Sequence, residues 1–219
     1  MDHHHAHALS AFHSSPFRSA LIFSYDAAGN DGMFNVYLGS FEKVRRIAQL
    51  DYTLGTAYDV LACLLPEVTG HPLDFFFDCE TLGTDDLLMP KQPFYEADQS
   101  SMRWAGKLMG YAATGRPRED LRHLVRFSYE ASNAFRGLRL KRYPRQLVQL
   151  ACASEENQRD LAATIQSEFE EFLLSKVVAM VEHVGLWVTK SDLFFFFLFK
   201  ILRLLTKSFV CKALRASAA

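Results

Sequence analysis

The strongest constraint on this chain comes late, in residues 157–184. There Leu161, Ile165, Phe169, Phe172, Leu173, Val177 and Met180 recur at three- and four-residue steps. That spacing gathers them on one side of an α-helix, with Glu168, Glu170, Glu171 and Lys176 assigned to the other. An apolar stripe of this length is not stable alone in water, so other elements must pack on it. The composition can supply them: 49% of the 219 residues are apolar and 22% charged, which excludes disorder as the overall state. The length fits roughly one domain, or one and a half. With Lys+Arg at 24 and Asp+Glu at 25, the net charge of −1 provides no global field for nucleic acid.

The first third has a different pattern. Asp2 is placed to cap a helix over His3–Phe12, and Ser14, Ser15 and Pro16 stop it. Ala20–Tyr25 is an apolar run of strand length, residues 26–32 (DAAGNDG) form a turn with two glycines, and Met33–Leu38 alternates like a second strand. Gly39 and Ser40 mark another turn, Val44–Leu50 a third strand, and residues 57–65 a short helix. The expected class is α/β, with a three-stranded antiparallel meander and flanking helices. The β-β-β-α order is how an RNase H-like half-domain begins.

Residues 66–103, with Pro66, Gly70, Pro72, Pro90 and Pro93 and little periodicity, read as a long irregular insertion. Cys63, Cys79, Cys152 and Cys211 are far apart and lack CxxC spacing, so they read as reduced, mostly buried thiols. None has a visible activating partner that would make it a nucleophile. The polar, His-rich start carries no secretory signal. After Gly185 the character changes to a Phe- and Leu-rich tail over 186–219, interrupted by Lys200 and Arg203. Its apolar run, Leu193–Leu205, is too short and too charged to span a bilayer, although residues 190–215 are basic and apolar enough to suit an anionic membrane surface.

Histidine density is the first chemical signal: five of the eight histidines are His3, His4, His5, His7 and His13. His3 and His7 stand one helical turn apart, so both imidazoles can reach one metal ion; His4 and His7 are the weaker alternative. Asp26, at the expected end of the first strand, is placed to add a carboxylate. Two imidazoles and a carboxylate suit ferrous iron or zinc. The bland alternative is a purification tag or a solvated end, but Ala6 breaks the His run and a patterned helix continues. The second signal is residues 106–115 (GKLMGYAATG), where Gly106 and Gly110 would let a backbone approach a ligand and Lys107 offers a charge to phosphate. The competing reading is a Gly/Ala-rich helix packed tightly on a sheet.

Five blocks link these signals. Residues 2–12 (DHHHAHALSAF), 15–17 (SPF) with 26–29 (DAAG), 52–58 (YTLGTAY), 106–115 (GKLMGYAATG) and 160–171 (DLAATIQSEFEE) occur in this order. Together they resemble the O-carbamoyltransferase family, the nodulation-factor, cephamycin and aminoglycoside carbamoylating enzymes. The family patterns are HHxAHAxSAF, SPF, an Asp-Gly-x-Gly turn, YSLGxxY, GKVMGLAxYG and DIAASxQxxxEE. The resemblance covers residues 2 to about 184, without 66–103. It implies an RNase H-like, actin-like ATPase fold. It also implies formation of carbamoyl-adenylate from carbamoyl phosphate and ATP, then transfer of the carbamoyl group to a hydroxyl of a small molecule in the cytoplasm. It makes His3, His7 and Asp26 ligands of a divalent metal, most often iron. It places Gly29, Gly106 and Gly110 near the cofactor and Lys107 near the phosphates.

The chain departs from that pattern in four places. It starts at the His block, without the half-domain that precedes it in the family. Ala27 replaces the glycine after the Asp, and the 66–103 insertion separates two blocks. After residue 185 the glycine-rich strand NLxLAGGxALN is expected; the sequence instead reads LWVTKSDLFFFFLFKILRLLTKSF, like a foreign ending. A fragment of an active carbamoyltransferase is therefore one expectation. An inactive metal-binding or scaffold remnant, and a membrane-surface protein held by its tail, are the others.

Overall fold

A computed structural model describes residues 2–41, 43–91, 104–132, 142–184 and 196–197, with side chains described for all of these except 26–28 and 196–197. The chain forms two compact units. One comprises Met1–Tyr25, Gly29–Gln49 and Val188–Ala219, the other Asp26–Ala28 and Leu50–Trp187.

The first unit is a helix on a sheet. Helix α1 (His3–His13) precedes strands β1 (Ser19–Gly29), β2 (Gly32–Ser40) and β3 (Lys43–Leu50). The sheet order is β3-β2-β1. β1 and β2 pair antiparallel from Ser19↔Ser40 to Tyr25↔Phe34, and the register shifts before Gly29↔Gly32. The expected meander is present, but the hairpin is longer than the sequence suggested. The turn is only Asn30 and Asp31, and Gly32 takes φ +118°, a backbone conformation that favours glycine. Asp26 therefore lies within β1 at the register shift and does not end the strand. Residues 20–25 of β1 are buried on both faces, consistent with a mostly apolar run. Ala8 and Phe12 of α1 join Ala20, Ile22 and Tyr37 in one cluster, with Phe17 and Val44 against it. Gly39 permits this docking, since a Cβ there would stand 2.6 Å from the Phe12 ring.

The outer side of β1 is also paired. Phe196 and Phe197 form a short strand, numbered β6 below, that runs parallel to β1 opposite Ile22 and Phe23. The sheet order is thus β3-β2-β1-β6.

The second unit is helical. It contains α2 (Leu54–Ala62), α3 (Pro66–Thr69), α4 (Trp104–Ala112), α5 (Arg122–Ala131), α6 (Arg145–Ala153) and α7 (Glu155–Val184). A two-residue ladder pairs β4 (Leu87–Leu88) with β5 (Tyr143–Pro144). Helices α2, α4, α5 and α6 all pack on α7. Its seven expected core residues, from Leu161 to Met180, are all buried. Glu168 corrects the expectation: it is fully buried, not on the solvent side. Arg122 and Arg126 of α5 compensate its charge, with Arg122 Nη1 donating to Oε1 at 2.7 Å and Arg126 Nε to Oε2 at 2.8 Å.

The described part of the expected insertion is also more ordered than its sequence suggested. Val68, Leu73, Phe76 and Phe77 are buried, and Phe76 and Phe77 pack their rings on Trp104 and Tyr143. Cys79 and Cys152 form a disulfide across a Cα–Cα distance of 5.7 Å, which corrects the reading of four reduced thiols. Cys63 is a free buried thiol, pushed up to about 12 chiefly by burial. No helix among the described residues is long and apolar enough to cross a membrane.

Candidate metal centre

The His-rich segment forms a helix, and its start is held by the neighbouring hairpin turn. Asp2 occupies the N-cap position but its side chain makes no capping hydrogen bond. Residues from the turn cap the helix instead. Asn30 Oδ1 accepts from the His3 amide at 2.8 Å, and the two Asp31 carboxylate oxygens accept from the His4 and His5 amides at 3.0 and 3.2 Å. Asn30 Nδ2 donates to Asp2 Oδ1, and the Tyr37 hydroxyl donates to Asp31 Oδ2. The first-turn N–H groups and the positive end of the helix dipole thus meet a carboxylate from the same chain. This helix end is already filled by Asp31 and is not a phosphate subsite. Burial pushes the Asp31 carboxyl up, but the two amides, the Tyr37 hydroxyl and the His4 ring outweigh it and hold it below the usual range. Burial and then the Asp31 charge push the Tyr37 phenol up.

The four clustered imidazoles have different surroundings. His4 is fully buried, with Nδ1 3.0 Å from Ser24 Oγ and Nε2 2.9 Å from the Gly32 carbonyl. A carbonyl only accepts, so Nε2 carries the proton and Nδ1 faces the serine hydroxyl. His5 stacks on Tyr37 at 5.6 Å and places Nε2 3.2 Å from the Val44 carbonyl. With both nitrogens of His4 engaged, the His4/His7 alternative loses its case. His3 and His7 meet on the half-buried face of α1, with ring centroids 4.7 Å apart and planes at 86°.

The third expected ligand, the Asp26 side chain, lies outside the described residues. Among the described residues, no three His, Cys, Asp or Glu side chains gather in a metal-binding group. Gly29 packs against the pair's helix: a Cβ there would stand 2.9 Å from His4 Cδ2 and 3.0 Å from His3 Cβ. Its small size lets the turn reach the helix.

The second expected constellation is on α4. Gly106, Lys107 and Gly110 are exposed, and a Cβ on either glycine would meet nothing within 4 Å. The close-approach argument belongs instead to Gly115, where a Cβ would collide with the Arg159 carbonyl. Beside it the Arg116 amide donates to Asp160 Oδ1 at 2.8 Å. Tyr58 donates to Gln166 Oε1 at 2.5 Å, and Gln166 Nε2 to Glu170 Oε1 at 2.7 Å. Blocks 52–58, 106–115 and 160–171 thus meet along α7.

Three site residues were not singled out from sequence. Asn30 and Asp31 stood in plain view between two turn glycines, but nothing in the spacing said they would reach a helix. Asp59 accepts a hydrogen bond from the Ala105 amide at the start of α4, and its Oδ1 is buried without a hydrogen-bond partner among the described residues. Burial pushes its carboxyl up to about 7. No protein-family model matches the chain, and no curated protein matches its sequence.

Proposed function

We propose that this chain is a carbamoyltransferase-type protein built on an RNase H-like, actin-like ATPase half-domain. Its reaction forms carbamoyl-adenylate from carbamoyl phosphate and ATP and passes the carbamoyl group to a hydroxyl of a small molecule in the cytoplasm. The observation that carries the reading is the approach of the His3 and His7 rings to 4.7 Å on one helix face, while His4 and His5 are turned to other partners. Two imidazoles whose rings meet on a half-buried face offer nitrogen donors of the kind a divalent ion such as ferrous iron takes. His3 and His7 would hold it, with Asp26 as the carboxylate that the family resemblance adds. Once bound, the ion would supply positive charge to carbamate and phosphate oxygens. Lys107, exposed on α4, would meet a phosphate oxygen. Two further features support the fold. The strand order β3-β2-β1-β6 ends in a strand parallel to β1, and the family-like blocks dock on α7 through Tyr58–Gln166 and Arg116–Asp160.

A second reading, an inactive metal-binding or scaffold remnant, is favoured by the exposure of Gly106, Lys107 and Gly110 and by the packing roles of Gly29 and Gly115. Metal analysis of the purified full chain, followed by mass-spectrometric detection of carbamoyl-adenylate with ATP and carbamoyl phosphate, tests both. Bound iron that is lost in His3→Ala and His7→Ala, together with adenylate formation, is the expected result. Metal without adenylate selects the remnant. Equal metal content in wild type and the double variant overturns the His3/His7 centre.

A further inference from the structure

The disulfide closes onto a loop whose other ties lie at the surface, among them Lys91 Nζ 3.9 Å from Asp78 Oδ2. Phe76 and Phe77 anchor one end in the core, and the Lys91 amide returns to the Phe76 carbonyl at 2.7 Å, closing the neck. Farther round, Leu87 and Leu88 pair with Pro144 and Tyr143, and the Arg145 amide donates to the Asp86 carbonyl. Between Phe77 and Asp86 no residue is buried, and Glu80, Thr81 and residues 83–86 are exposed. Cys79 is fixed there by the bond to Cys152 on α6, with a 3.3 Å hydrogen bond from its amide to Asp74 Oδ1. Both cysteines are partly exposed, so a thiolate from solution can reach the bond. The core contacts of Phe76, Phe77 and α7 do not pass through the sulfurs.

We propose that Cys79–Cys152 is a thiol-responsive clamp that sets the order of the loop between Phe77 and Leu87, independently of the metal-centre reading. A small thiol such as glutathione attacks one sulfur, forming a mixed disulfide and releasing the other cysteine as thiolate. A second small thiol then attacks the glutathione sulfur of that mixed disulfide, and the remaining cysteine leaves as thiolate. Two electrons and two protons pass to the cysteine pair, and the two small thiols leave as their disulfide. The bond closes a separation of 73 residues, but Trp104, Leu108, Val125 and Tyr129 hold most of that stretch in the core, so opening it frees only the part without such anchors. The loop, having no buried side chain between its anchors, takes up that freedom first.

The test equilibrates the full chain in graded mixtures of reduced and oxidised glutathione. Alkylation mass mapping reads Cys79 and Cys152, and amide exchange is followed over 78–86 and over α7. The expected result is that the pair passes from disulfide to thiols within the series and loop exchange rises about tenfold in step, while α7 is unchanged. A Cys79→Ser/Cys152→Ser variant should show the faster exchange in every buffer. The clamp is overturned if the pair stays oxidised throughout, if it opens with no change in loop exchange, or if α7 loosens equally. A double variant that does not fold also overturns it, because the bond would then be a staple of the whole unit.

Discussion

Two aspartates shape the stability of this protein in opposite directions and in separate pH windows. Asp31 is held below the usual carboxylate range, so it adds stability above its unfolded value of 3.8 and loses it as pH falls through the lower folded value. Asp59 is pushed up from 3.8 to about 7, so its folded form keeps a proton that the unfolded chain releases. Stability from this residue therefore falls as pH rises from about 4 to about 7 and is level above that, a change on the order of 4 kcal/mol. Asp59→Asn should flatten that slope, and urea unfolding at about pH 5 and about pH 8 reads it directly. An unchanged slope would place the buried proton elsewhere. Asp31→Ala removes the acceptor for two helix-start amides and one phenol, and is expected to cost about 1–3 kcal/mol by the same measurement at neutral pH. Asp2→Ala, whose side chain caps nothing, should cost less.

At the scale of the element, α7 shows what the sequence could and could not disclose. Its periodic apolar residues found the core because burial follows helical spacing whatever the partners are. Glu168 defies the expectation from its charge and lies on the buried side. Its position was informative: it stands seven residues after Leu161 and four before Phe172, on the apolar stripe itself. Its compensation by Arg122 and Arg126 comes from another helix, so it was not legible locally. The Cys79–Cys152 bond was hidden for the same reason, as were the contacts of Asn30 and Asp31 with α1. His3 and His7 were legible because one helical turn alone brings them together. Glu168→Gln keeps the shape but leaves two guanidinium groups against a neutral amide. Because Arg122 and Arg126 are 25% and 43% exposed and Glu171 remains beside them, the expected loss is about 2–3 kcal/mol, at the low end for a broken buried pair. Denaturant midpoints for this variant and for Arg126→Gln would check it, the arginine variant being the milder.

At the scale of the whole molecule, the question is how a sheet with a buried strand is protected on both sides. β1 pairs with β2 along one side, and on the other the backbone of Phe196 and Phe197 lies parallel to Ile22 and Phe23. An apolar strand with an open edge is a template for pairing with another chain, and charge is the usual deterrent. β3, at the far end of the sheet, carries exposed Lys43, Arg45 and Arg46, whereas residues 20–25 of β1 carry no charge at all. At Ile22 and Phe23, β1 therefore takes its cover on this side from Phe196 and Phe197. Proline cannot donate to a ladder, so Phe196→Pro/Phe197→Pro should release that edge without changing the length of the chain. Amide exchange at Ile22 and Phe23 is expected to rise severalfold, and light scattering should show concentration-dependent association absent from the parent. If neither changes, the short strand contributes nothing to the sheet. If exchange rises without association, the pairing orders β1 but does not guard it.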